Sequence, residues 1–91
     1  MDKVLVERNR FVDSVRLMSV GDKVKRLGEI RVAEVQMGTP ANREMLEEIG
    51  FQLPDDIAAN DLVLAVRADT EAKIDEAFQL TSMFNIVFII I

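Results

Sequence analysis

The run Asp61-Leu62-Val63-Leu64-Ala65-Val66-Arg67-Ala68 is the strongest constraint on how this chain folds. A strand with one wet face alternates apolar and polar residues; a run without that alternation needs cover on both faces. Eight residues are too few for a buried helix, and Asn60 before the run and Asp69-Thr70 after it are turn-forming residues. The chain has 91 residues, enough for one hydrophobic core and no more. Residues 61–68 are therefore expected to be a central strand, with the rest of a single domain, 1–91, wrapped around it.

The remaining elements follow from periodicity. Residues 3–11 read as a strand with Val4 and Val6 on one face and Leu5 on the other. Asp13 or Ser14 caps a helix whose stripe is Leu17, Val20, Val24 and Leu27, weakened by Gly21 and ended by Gly28. Residues 29–37 form a second strand, with Ile30 and Val32 on one face, Ala33, Val35 and Met37 on the other, and a bulge expected near Val32–Ala33. Thr39 caps a short helix that starts at Pro40 and stops at Gly50. A loop over 51–60 precedes the central strand, and a last helix follows from Asp69 or Thr70, with Ile74, Phe78 and Thr81 on one face. Ile86–Ile91 reads as a final strand. The expected fold class is α+β: a ferredoxin-like split βαβ sandwich, with a four-stranded antiparallel sheet, helices on one face and an extra short helix between strands 2 and 3.

Composition removes much of the catalytic repertoire. There is no cysteine and no histidine, hence no thiolate nucleophile, no imidazole base and no thiolate or imidazole metal ligand. No glycine-rich phosphate loop is present, and Leu62–Ala68 contains no aromatic residue on which a base would stack. Asp55, Asp56, Asp61 and Asp69 lack ligand-loop spacing and read as a solvated acidic loop. The five phenylalanines and five methionines read as core. No catalytic residue, metal site or cofactor is implied.

The net charge of −5 is unevenly spread: residues 1–31 carry eight basic and five acidic side chains, residues 32–91 three and eleven. An acidic chain is repelled by phosphate backbones, so nucleic acid is not an expected partner. Arg8, Arg10, Arg16, Lys23, Lys25 and Arg26 read instead as cations answering the acidic half, within one chain or between subunits. The six apolar residues Ile86–Ile91 are far short of a membrane span, and the amino terminus has too short an apolar run for a signal peptide. A cytoplasmic, membrane-free protein is expected. A bare isoleucine strand at a sheet edge needs cover, which points to a homodimer or other homo-oligomer, or to a longer chain of which this is part.

One turn resembles a ligand site. Met37-Gly38-Thr39-Pro40-Ala41-Asn42 leads from a strand through glycine to a helix start, where free amides hold anions. Gly38, Thr39, Ala41 and Asn42 are the candidate ligand-binding residues, although Pro40 removes one amide from the set.

The same turn begins a longer likeness. Residues 37–46, then Gly50-Phe51, then Ala58-Ala59-Asn60-Asp61 through Ala68 resemble the N-terminal region of FdrA-type proteins. These are acyl-CoA synthetase-like proteins related to the succinyl-CoA synthetase alpha subunit. Phe11-Val12-Asp13-Ser14-Val15-Arg16-Leu17-Met18 is similar to that family's Asp-Ser-Val-x-Leu-Met segment. Family members are several times longer, and neither their CoA-binding loop nor the phosphoryl-relay histidine is in this chain, so the resemblance implies a non-catalytic module. It also implies a partner: a separately encoded ligase-like or carbamoyltransferase-like subunit. The expected function is thus an interaction or regulatory module that assembles through an open sheet face or edge. The alternative is a small-molecule or anion sensor binding at Gly38–Asn42 or at a subunit interface.

Overall fold

The apolar run takes the middle of the sheet. In the computed structural model, which describes residues 1–83, β3 (Leu62–Ala68) lies between β1 (Asp2–Glu7) and β2 (Ile30–Met37) in the order β1-β3-β2. It pairs antiparallel with both neighbours. Leu62, Val63, Leu64, Ala65, Val66 and Ala68 are all buried, which explains the missing alternation. Three helices complete the element order: α1 (Ser14–Lys25) after β1, α2 (Pro40–Ile49) after β2, and α3 (Glu71–Met83) after β3.

The sheet has cover on both sides, which corrects the expectation of helices on one face. On one side Leu5, Ala33, Val35, Leu62, Leu64 and Val66 pack with Leu17, Val20 and Val24 of α1 and with Ile74 and Ala77 of α3. On the other, Val63, Ala65, Val4, Val6 and Val32 pack with Leu46, Met45 and Ile49 of α2 and with Phe51, Leu53 and Ile57 of the following segment. The short helix is therefore the second layer and not an appendage. Arg67 fastens that layer: it donates to both Asp2 carboxylate oxygens (2.7 and 2.8 Å) and to the Ile49 carbonyl (3.2 Å), and lies 4.9 Å from the centre of the Phe51 ring.

Among the described residues the sheet has three strands, not four. The strand expected over Ile86–Ile91 lies outside the described residues. β1 ends at Glu7 and not at Phe11, because the chain turns at Asn9, whose φ is 52°. The bulge in β2 falls between Ile30 and Val32, one step earlier than expected. It sends Ile30 to the α1 side with Ala33, Val35 and Met37, and leaves Val32 for the α2 side.

Helix ends obey local chemistry. Asp13 caps α1 by accepting from the Arg16 amide (3.0 Å), and Thr39 caps α2 by accepting from the Asn42 amide (3.3 Å) with Pro40 at the first helical position. Gly50 ends α2 at φ 110°, a left-handed conformation that glycine adopts without a Cβ clash. Thr70 accepts from the Lys73 amide (3.3 Å) at the start of α3. No helix among the described residues is long and apolar enough to cross a membrane.

Candidate functional site

Two places stand out: a polar knot where the ends of β1 and β2 meet the 56–61 segment, and an apolar stripe on α1.

The knot is built around Asp61, which is only 4% exposed. Its carboxylate accepts from the Asn9 amide (2.8 Å), the Ala58 amide (2.9 Å) and the Arg8 guanidinium (3.0 Å). Those two amides, followed by Arg8, hold its carboxyl below the usual carboxylate range. Arg8 also straddles Asp56, donating to both carboxylate oxygens at 3.1 Å and to the Asp56 carbonyl at 3.1 Å. Its hydrogen bonds to Asp61 and Asp56 raise its own pKa. Asn60 donates to the Asn9 side chain (2.7 Å), and the Arg10 amide to the Asn60 carbonyl (2.9 Å). The loop after β1 is thus pinned to the approach to β3. Asp61 is no solvated loop residue, and its position just before the apolar run was the available signal.

The turn proposed as an anion site joins this knot. The Gly38 amide donates to the Asp61 carbonyl (2.8 Å), the Thr39 hydroxyl accepts from the Asn42 amide, and the Asn42 side chain donates to the Met37 carbonyl (2.8 Å). A Cβ on Gly38 would overlap the Ile57 side chain and the Ala58 carbonyl oxygen. Gly38, Thr39 and Asn42 therefore spend these groups on the chain itself, and Gly38 is small because a neighbouring loop lies on it. Ala41 stands beside them in the first turn of α2 and makes no side-chain hydrogen bond. Arg43 donates to the Ile57 carbonyl (3.0 Å), holding the same loop from α2.

The second place was missed by reading every phenylalanine and methionine as core. Phe11, Val15 and Met18 are 80%, 76% and 70% exposed. Val15 and Met18, three residues apart, share an outward face of α1 opposite the buried Leu17-Val20-Val24 stripe, and Phe11 is exposed just before the Asp13 cap. That spacing was visible in the sequence. Beside it, a groove of about 400 Å³ runs between Met18 and Gly21 of α1 and Ala33–Gln36 of β2, whose outer edge is unpaired among the described strands. The free part of the opposite face, over β2, carries Glu34 and Gln36, joined side chain to side chain at 3.1 Å. The apolar sheet face expected to be open is covered by α2, so edges and the α1 stripe remain.

The family model described as AllF, heavy metal-associated domain, matches residues 1–84. The chain is 28% identical over 86 residues to the uncharacterised protein YahF of Escherichia coli strain K12, a match covering 91% of this chain. It spans 17% of that relative's length. No solved structure matches. The metal in the family's description can be tested against the donors present. Heavy-metal ions of the soft or borderline kind are held chiefly by thiolate and imidazole, which this chain lacks, and of its thioether donors Met37 and Met45 are packed on opposite sides of the sheet. Among the described residues no three acidic side chains gather as a cation would need, and residues 84–91 contain no acidic side chain. The residues do not fit a heavy-metal ion.

Proposed function

The chain belongs to the family of AllF heavy metal-associated domains, and on that premise we propose that it is a non-catalytic interaction module whose contact surface is the α1 stripe and the neighbouring β2 edge. The observation that carries this is the exposure of Val15 and Met18 on one face of α1, with Phe11 exposed just before the helix. Single exposed apolar side chains are ordinary, whereas three within eight residues, next to a strand edge unpaired among the described residues, form a surface that excludes water when covered. No thiol or imidazole is present to make or break bonds, and the candidate anion turn has its Gly38 and Asn42 amides and its Thr39 hydroxyl engaged, which favours contact over ligand capture.

The occupant we propose is a second copy of the chain. α1 bears Arg16, Lys23 and Lys25, while α2 and α3 bear Glu44, Glu47, Glu48, Glu71, Asp75 and Glu76, so two copies offer complementary charge around an apolar centre. The likeness of residues 11–18 and 37–68 to FdrA-type proteins adds a further proposed partner, a ligase-like or carbamoyltransferase-like domain or subunit. The strand order β1-β3-β2, antiparallel throughout, supports reading the fold as a ferredoxin-like split βαβ sandwich.

Sedimentation velocity over a dilution series tests the proposal. Wild type associates in the micromolar range, and a triple variant, Phe11→Ser, Val15→Lys and Met18→Lys, sediments as a monomer with unchanged melting temperature. A wild-type chain that stays monomeric at every concentration, or a variant that associates equally well, refutes the self-association reading.

A further inference from the structure

We propose that Arg8 is this domain's built-in cation, joining the end of β1 to the 56–61 segment as a bound metal ion would, and that the chain folds and works without taking up a heavy-metal ion. This goes beyond the interaction reading and stands independently of it.

The geometry of the knot carries the argument. Two carboxylates from one loop converge on a single positive group, and that group is covalently part of the chain. Arg8 contacts Asp61 at 3.0 Å, both Asp56 carboxylate oxygens at 3.1 Å and the Asp56 carbonyl at 3.1 Å, so its planar fork bridges both carboxylates. Asp61 also takes two backbone amides on its carboxylate, with Asn9 on one oxygen and Ala58 on the other. Its oxygens already face three donors, and an arriving cation would have to displace Arg8 and approach amide hydrogens. Arg10, on the same loop, is paired with Glu7 at 3.2 Å, so the Glu7 carboxylate also has its cation within the chain.

The chemistry of the donor set points the same way. Metal cross-links fix small domains because ligand binding is coupled to folding. Here the parts that would need fixing, the loop after β1 and the loop before β3, are already fixed by the guanidinium and by the Arg10 amide to Asn60 carbonyl bond. With no cysteine and no histidine anywhere in the chain, a soft ion finds only hard oxygen donors and neutral methionine thioethers, and Met37 and Met45 are packed on opposite sides of the sheet.

The experiment uses the full 91-residue chain. It is incubated with Cu(I), Zn(II) or Cd(II), desalted, and analysed for retained metal, with thermal melts in each metal and in chelator. The expected result is no stoichiometric metal and superimposable melts. A metal present at a hundred times its dissociation constant would multiply the folding equilibrium about a hundredfold, so one retained equivalent or a metal-dependent rise in melting temperature overturns the proposal. The cross-link is tested by Arg8→Gln and Arg8→Lys in urea. Arg8→Gln should raise the unfolded-to-folded ratio about tenfold, Arg8→Lys by less, and metal should restore neither. An Arg8→Gln chain as stable as wild type overturns the cross-link. If Arg8→Gln does not fold, the Arg8→Lys melt and the metal analysis of wild type still decide.

Discussion

Replacing glycine by alanine at positions 21 and 38 should move stability in opposite directions, and the structure supplies both signs. Gly21 lies inside α1, and a Cβ there would meet nothing within 4 Å. The substitution gains helix propensity and reduces unfolded-state entropy, about 0.5–1 kcal/mol. At Gly38 the new Cβ would fall on the Ile57 side chain and 2.5 Å from the Ala58 carbonyl oxygen, against 3.4–4 Å for ordinary contact. Relief requires the 57–61 segment to move away by about 1 Å. That segment is tied to the same residue by the Gly38 amide bond to Asp61 at 2.8 Å. Overpacking costs about 1–3 kcal/mol and a stretched hydrogen bond about 1 kcal/mol, against a gain of about 0.5 kcal/mol from entropy. The net is a loss of about 1.5–3.5 kcal/mol. At about 4–8 °C per kcal/mol for a domain of this length, Gly38→Ala should melt roughly 6–28 °C below wild type. Gly21→Ala should melt a few degrees above it. Urea unfolding followed by circular dichroism reads both, with the m-value unchanged between variants. A Gly38→Ala chain within about 0.5 kcal/mol of wild type would refute the close approach of the 57–61 segment to this turn.

Other outcomes follow from the same contacts. Leu46, 1% exposed, anchors α2 on the second face of the sheet, and Leu46→Ala should cost about 2–5 kcal/mol in urea unfolding; a loss under about 1 kcal/mol would mean that α2 is not a packed layer. Asp61 and Asp2 have carboxyls held below their ordinary range, Asp61 first by the Ala58 and Asn9 amides and Asp2 first by its hydrogen bond to Arg67. The depressed folded-state values contribute stability that is present above the unfolded-state pKa of about 3.9 and lost as pH falls through the folded values. Stability should therefore decline below about pH 4, and an Asp61→Asn chain should show a shallower decline in acid melts. An Asp61→Asn chain whose acid profile matches wild type would place that dependence elsewhere.

How much of this was legible in the sequence depends on the range of the interaction involved. Caps and stops were readable because they act over three or four residues: Asp13 to the Arg16 amide, Thr39 to the Asn42 amide, and Gly50 at positive φ. The central place of Leu62–Ala68 was readable because burial on both faces leaves its mark on a strand's own composition. The exposure of Phe11, Val15 and Met18 was not legible, because phenylalanine and methionine read as core and hydrophobicity alone does not say which apolar side chains stay outside.

Tertiary structure alone decided where the short helix went. The sequence specifies α2 from Pro40 to Ile49, but only the apolar Val63, Ala65, Val4 and Val6 on the far side of the sheet draw Leu46 and Phe51 onto it. It also decided what Asp61, Gly38 and Arg8 are for. A lone aspartate before a strand reads as solvated, a glycine after a strand as an open anion turn, and an arginine as surface charge. Their partners lie across the sheet ends, as far as 53 residues away along the chain. Local sequence sets backbone conformation through short-range sterics and hydrogen bonds. Which charge is buried, and which amide is already occupied, depends on contacts that exist only once the chain has closed on itself.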